Sequence, residues 1–207
     1  MLRRAALILA LSVLTVQAAA QSSTAAPGLS GQVPVFKVGD SWLWVRSDRR
    51  TGLKEAETSR TITKVSSERI EGTDNGNAIT MTADQLALME TADFVRQGSP
   101  HFVQFPLELG KKWSFKYVQA SKAGPQRTRW QYDAEVVGQE RVKVPAGDFD
   151  AFKVVCKGYW NNEVGSGNGA AEVTLWFAPA ARATVKSQFQ GGQSYNVSEL
   201  VEMKLMP

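Results

Sequence analysis

Lys112-Trp113-Ser114-Phe115-Lys116-Tyr117 and Arg129-Trp130-Gln131-Tyr132-Asp133-Ala134-Glu135-Val136 decide the fold. In both stretches every second residue is apolar and its neighbours are charged or polar. Successive side chains of a strand point to opposite faces, so each stretch has one core face and one wet face. A parallel sheet, buried on both sides, reads instead as continuous apolar runs; alternation of this kind marks an antiparallel sheet covered on one side only. Working outward, Phe152, Val154, Cys156 and Trp160 share one parity against Lys153 and Lys157. Val197, Val201, Met203 and Leu205 line one side of the last segment opposite Ser198, Glu202 and Lys204.

The residues between these stretches are turn formers. Asp74-Asn75-Gly76-Asn77 supplies the positive φ angles of a tight hairpin between residues 68–72 and 78–82. Pro145-Ala146-Gly147-Asp148 turns residues 141–144 into 149–160, Gly165-Ser166-Gly167-Asn168-Gly169 leads on to 171–177, and Gly191-Gly192 joins 183–189 to the final strand. About ten strands result. Residues 83–90, with Leu86, Met89 and Glu90, read as the single short helix. A meander of this length must roll up or stack to cover its apolar face. The expected fold is all-β: a curved antiparallel sheet forming a partly open barrel, with a two-sheet sandwich as the alternative.

Ahead of the strands, Arg3-Arg4 forms a basic head and residues 5–16 are apolar except for Ser12 and Thr15; Ala18-Ala19-Ala20 then precedes a polar tract. This is the pattern of a secretory signal peptide cleaved near Ala20–Gln21, too short to span a ~30 Å hydrocarbon layer as an anchor. Three segments follow from this: a signal peptide at 1–20, a flexible leader at 21–35 rich in small, polar and proline residues, and a single antiparallel β domain at 36–207. Cys156 is the only cysteine, so no disulfide framework exists, and no cysteine near the cleavage site can carry a lipid. No later segment is apolar for about 18 residues. The expected location is periplasmic or secreted, with no transmembrane segment after cleavage. The chain carries +4, about +2 once Arg3 and Arg4 are removed. That excess permits weak contact with an anionic surface and lacks the clustered charge of a nucleic-acid binder.

Catalytic chemistry finds little purchase. His101, the only histidine, sits in a turn, and no Gly-x-Ser-x-Gly elbow accompanies it. One histidine and one cysteine make a poor zinc set, and Asp74-Asn75-Gly76-Asn77 lacks the alternating oxygen ligands and closing glutamate of a calcium loop. Gly165, Gly167 and Gly169 lead into a strand, with no following Lys-Ser/Thr for a phosphate. Cys156 lies on the apolar parity of its strand, a buried small hydrophobe. Asp148, Asp150 and Glu163 are the carboxylates that a glycosidase-like acid–base pair would have to use.

Trp42, Trp44, Trp113, Trp130, Trp160 and Trp176 are the candidate ligand-binding residues. Gathered on one concave face they would form an aromatic cup for an acyl chain, a peptide or a glycan; otherwise they fill the core. Trp42 and Trp44 share one parity with Arg46 on the first strand, the best single place for a ligand contact. Arg46, Arg49, Arg50, Lys54, Arg60 and Lys64 concentrate in the first hairpin, and Lys111, Lys112, Lys116, Lys122, Arg127 and Arg129 form a second basic group. With Glu55, Glu57 and Glu68 intermixed, both read as solvated faces.

Three local patterns carry a family resemblance: Phe36-Lys37-Val38-Gly39-Asp40-Ser41-Trp42, Phe105-Pro106-Leu107-Glu108-Leu109-Gly110-Lys111-Lys112-Trp113, and Val144-Pro145-Ala146-Gly147-Asp148-Phe149 continuing to Val154. With Leu175-Trp176-Phe177-Ala178-Pro179 and Val185-Lys186-Ser187, their order over residues 36–203 resembles uncharacterised bacterial envelope proteins, a TapB-like group of unknown function loosely similar in architecture to periplasmic lipoprotein carriers. The resemblance implies a curved antiparallel sheet and brings no catalytic residue. Ala180-Ala181-Arg182 stands where relatives often place glycine after the Ala-Pro, so the turn there is expected to differ. The leading expectation is a non-enzymatic exported module that binds an apolar or extended ligand. A structural domain receiving an envelope partner on an exposed sheet edge is the alternative, and a carboxylate hydrolase the third. No cofactor, metal or nucleic acid is expected.

Overall fold

The computed structural model describes residues 29–207; the signal-peptide segment 1–20 and residues 21–28 of the leader lie outside the described residues. Twelve strands follow in order: β1 (Ser41–Asp48), β2 (Lys54–Val65), β3 (Arg69–Asp74), β4 (Asn77–Thr82), β5 (Leu88–Glu90), β6 (Phe94–Gly98), β7 (Lys112–Ser121), β8 (Arg127–Val144), β9 (Gly147–Asn162), β10 (Asn168–Ala178), β11 (Ala183–Gly191) and β12 (Ser194–Lys204). Each pairs antiparallel with its sequence neighbour, and β1 also pairs with β12, so the sheet closes into a barrel. The wall is thinnest at β5–β6, joined through Glu90 and Val95 alone.

The alternation that decides the fold sets the wall's two faces. Trp113, Phe115 and Tyr117 of β7 and Tyr132, Ala134 and Val136 of β8 are buried. Lys112, Ser114, Lys116, Arg129, Gln131 and Asp133 face outward and are exposed. A polar outside and an apolar inside reverse the pattern of a membrane-spanning barrel, whose outer band is apolar. Among the described residues no helix is long and apolar enough to cross a membrane. The β3–β4 hairpin turns on Asn75 (φ 50°) and Gly76 (φ 82°), the two positive angles its sequence demands.

The β8–β9 hairpin outruns its neighbours. β9 pairs with β10 only as far as Phe152–Phe177, whereas β8 and β9 stay paired to Val144–Gly147. A bulge between Val136 and Gly138 bends the pair. In β9 the buried parity switches from Phe152 and Val154 to Phe149 and Ala151. The projecting tip therefore turns its other face inward. With Val142 and Val144 it packs into a second cluster containing Phe36, Trp42, Ile62, Ile70, Trp176 and Leu200, and the Ala146 N–H donates to the Leu200 carbonyl at 3.1 Å.

Several expectations change. The barrel is fully closed and has twelve strands, because the short β5 and β6 escape a periodicity reading. Residues 83–90 are not a helix: Leu86 has φ 55°, Ala87 is buried, and Leu88 pairs with Met81 as β5. A turn held by two bonds between Thr82 and Ala87 suits these side chains better, since both reach the core. The leader docks earlier than Phe36. Leu29 and Val33 pack on the core, and Gly31 accepts the Leu107 N–H at 2.6 Å. Closure leaves strand edges free where one strand outruns its neighbour, as at the β8–β9 tip beyond Glu135 and Phe152.

Candidate functional site

Eight strands close a barrel that side chains alone can fill; twelve enclose more space. The excess is shared unequally. On the β7–β9 side, the connection between β6 and β7 (residues 99–111) forms a strap that sends Val103, Phe105 and Leu107 inside while Pro106, Glu108 and Leu109 stay exposed. The Phe102 ring lies 5.0 Å from Phe115 and 5.6 Å from Tyr132, and Phe105 meets Phe177 edge-on at 5.2 Å. Val103 and Leu107 are buried beside them. Trp113 Nε1–H donates to the His101 carbonyl at 2.7 Å, pinning the strap to β7.

Opposite the strap the interior is hollow. A cavity of about 330 Å³ is walled by Phe36, Trp42, Trp44, Met81, Leu86 and Phe177. A wider outer chamber of about 1110 Å³ shares part of its lining. Arg60, Arg96, Ser187 and Ser198 are among the residues that border both spaces, where a waist between them would lie.

The six tryptophans do not share one surface. Trp42 and Trp44 stack at 6.2 Å on the wall of the inner cavity. Their N–H groups are bound to the Ala181 and Thr184 carbonyls at 2.8 and 2.9 Å, so the apolar rings are free to face the cavity. Trp130 lines the outer chamber, and its Nε1–H is buried without an acceptor among the described residues. Trp160 tilts against Trp130 at 6.3 Å. Trp113 belongs to the strap-side core. Trp176 is sealed beneath the β8–β9 tip, its N–H on Glu140 and its ring under the Lys153 and Lys186 ammonium groups. Trp42, Trp44 and Trp130 thus belong to the lumen, and Trp113 and Trp176 to packing.

The lumen's polar residues were not singled out by the sequence. Arg60, grouped above with a solvated face, turns inward. It is directly opposite Asp74 on β3, and that register produces a two-bond pair at 2.7 Å each. Arg96 on β6 faces Gln119 of β7 in the same way. It donates to Gln119 Oε1 at 3.0 Å and to the Leu88 carbonyl at 3.3 Å. Its guanidinium lies 4.5 Å from the centre of Phe94 and 5.1 Å from that of Tyr117. Burial lowers its affinity for the proton, and Arg60 acts in the same direction.

Tyr117, Trp130 and Tyr132 stack in a ladder on the inner face of β7 and β8, with centroids 6.3 and 6.0 Å apart. Gly158, opposite Tyr132 in the register, leaves room for that ring: a Cβ there would stand 2.8 Å from Tyr132 Cδ1. Burial pushes the Tyr117 hydroxyl up to about 12 and the Tyr132 hydroxyl higher still. The parity of Tyr117 and Tyr132 was legible; that their hydroxyls edge a cavity was not.

The floor is closed by Asp40, which is fully buried. Its carboxylate accepts the N–H groups of Lys37 and Met206 at 2.9 and 2.7 Å and pairs with Arg182 Nη1 at 2.7 Å. Burial pushes its carboxyl up, and these donors together outweigh that, holding it below the ordinary carboxylate range. Arg182 adopts φ 54°, in the left-handed region, and closes the turn after Pro179 with its guanidinium on Asp40.

The remaining candidates stand apart from the lumen. Asp148 and Asp150 face Arg141 at the β8–β9 tip, and Glu163 pairs with Arg127 and Arg129 beyond the other end of β9. The three carboxylates do not converge. Cys156 is buried, with burial pushing its thiol up to about 12. Most of the basic side chains of the first hairpin have partners: Arg46 with Glu55, Arg50 with Asp48, Lys54 with Glu57 and Lys64 with Glu71. Among the described residues no three His, Cys, Asp or Glu side chains cluster as a metal site.

No protein-family model matches the chain, and no curated protein matches its sequence. Solved structures do share its fold. A candidate lipoprotein of Parabacteroides distasonis superposes at TM-score 0.57, with 13% identity over 86% of this chain and 100% of its own. A candidate exported protein of Bacteroides fragilis with a YmcC-like fold gives 0.58, with 15% identity over 84% and 99%. The hypothetical lipoprotein YmcC of Escherichia coli aligns over 81% of this chain and 85% of its own at 11% identity and TM-score 0.45. The first two likenesses establish that the all-β barrel occurs in proteins described as exported or as lipoproteins.

Proposed function

We propose that this chain is a non-enzymatic binding module of the bacterial envelope, periplasmic or secreted after loss of residues 1–20, that holds an apolar or extended ligand inside its barrel. The observation that carries the reading is the 330 Å³ cavity with Trp42, Trp44, Met81 and Phe177 in its wall. It lies within the size range of small-molecule sites, and its lining is that of such sites: mostly apolar with a few placed polar groups. The wider chamber above it gives a route in. The TapB-like relationship drawn from the three sequence patterns belongs to the same proposal, as does the absence of a catalytic step. A fluorescent apolar probe such as N-phenylnaphthylamine tests it. The full exported chain binds the probe with enhanced emission. Ser198→Phe, which narrows the waist, weakens binding about tenfold. Absence of enhancement by the unaltered protein sinks the reading.

A further inference from the structure

We propose that the lumen accepts a single-headed anionic amphiphile, a carboxylate on an aliphatic chain, with its head at Arg96, Tyr117 and Tyr132 and its tail between Trp42, Trp44 and Phe177. This inference rests on the lumen being the binding site, and goes beyond it by assigning the ligand's charge and orientation.

Three arginines border the inner cavity. Two have a carboxylate of their own, Arg60 with Asp74 and Arg182 with Asp40. Arg96 has none among the described residues; its hydrogen bonds go only to the neutral oxygens of Gln119 and Leu88. No acidic residue lines the inner cavity. Those lining the outer chamber are Asp74, held by Arg60, Glu55, paired with Arg46, and Asp93, exposed at the rim. A guanidinium removed from water without a counter-ion costs free energy that an anion restores. The Phe94 and Tyr117 rings fix its plane, so that restoration needs little reordering.

The second, independent observation is the phenol pair. Tyr117 and Tyr132 are more than nine-tenths buried and line the outer chamber. The Tyr117 ring centre lies 5.1 Å from the Arg96 guanidinium. Burial keeps both phenols protonated at neutral pH, hence available as donors. A carboxylate seated at Arg96 has phenol donors in the same chamber, and Arg96 borders both spaces, so a head bound there directs an aliphatic tail into the apolar cavity. A free inorganic anion would satisfy the donors and leave that cavity unused.

Calorimetric titration of the full exported chain with decanoate, decanol and acetate separates the contributions. Decanoate is expected to bind roughly tenfold or more tighter than decanol, with acetate failing to compete. Arg96→Gln should remove that advantage and leave decanol affinity unchanged; Arg96→Lys should restore part of it. Equal affinity for decanoate and decanol in the unaltered protein overturns the assigned charge while the lumen reading stands. Failure to bind either overturns both. Acetate competing as well as decanoate reveals an adventitious ion only. Should Arg96→Gln lose decanol as well, Tyr117→Phe with Tyr132→Phe decides: unaltered decanoate affinity in that double variant contradicts the proposal.

Discussion

On the β7–β9 side, inward side chains such as Phe115, Val154 and Cys156 meet a strap and are sealed; on the β1–β6 side, the same parity leaves Trp44, Thr58, Arg60 and Arg96 facing open space. The wall chemistry does not make this difference. Both sides are antiparallel strands with alternating faces, and both carry tryptophan. What differs is the connection of residues 99–111, whose apolar side chains fill one side and supply Phe102 and Val103 as the back wall of the other. A barrel of this width needs such an insertion to be stable, and where the insertion stops a cavity begins.

The contrast can be broken by substitution. Phe105→Ala, on the filled side, removes a ring packed edge-on against Phe177 and should cost about 4 kcal/mol, measured by chemical denaturation. The two ends of β1 offer a second contrast. Asp40→Ala leaves Arg182 without its carboxylate at the closed floor and should cost about 3 kcal/mol. Arg46→Gln, removing an exposed pair with Glu55 at the open mouth, should change stability by no more than about 0.5 kcal/mol. Between these lies Trp44→Ala on the hollow side, expected at about 1–2 kcal/mol because the ring already borders a cavity. A Trp44 cost matching that of Phe105 would mean that the hollow side is packed like the filled one.

Asp40 also sharpens the contrast through pH. Its carboxyl lies lower in the folded protein than in the unfolded chain. The unfolded state therefore takes up protons first as pH falls, and the stabilisation is present above the ordinary carboxylate range and lost below it. The stability gap between the unaltered protein and Asp40→Asn should be full near neutrality and shrink as pH falls below about 4. A gap that widens on acidification would contradict the assigned direction.

Much of the wall was legible because β7, β8 and the β3–β4 hairpin obey period-two alternation and turn chemistry that act locally. The strap was not, since residues 99–111 carry no periodicity; their apolar side chains became core only through contact with strands on both sides. β6 misleads for a related reason. Phe94 and Arg96 face inward while Val95 does not line the lumen, so a half-buried arginine occupies a position that hydropathy assigns to water. Trp42 and Trp44 could be proposed as ligand contacts from their parity with Arg46. Trp176 was indistinguishable from them in sequence, because what covers it is the tip of β8–β9, a contact between segments far apart along the chain.

The most direct test is native mass spectrometry of the full chain isolated from the cells that produce it, with Ser198→Phe alongside. The account predicts a retained small amphiphile on the unaltered protein and its loss from the variant. Finding only the bare polypeptide mass in both, or an adduct that Ser198→Phe leaves untouched, would contradict a ligand-holding lumen.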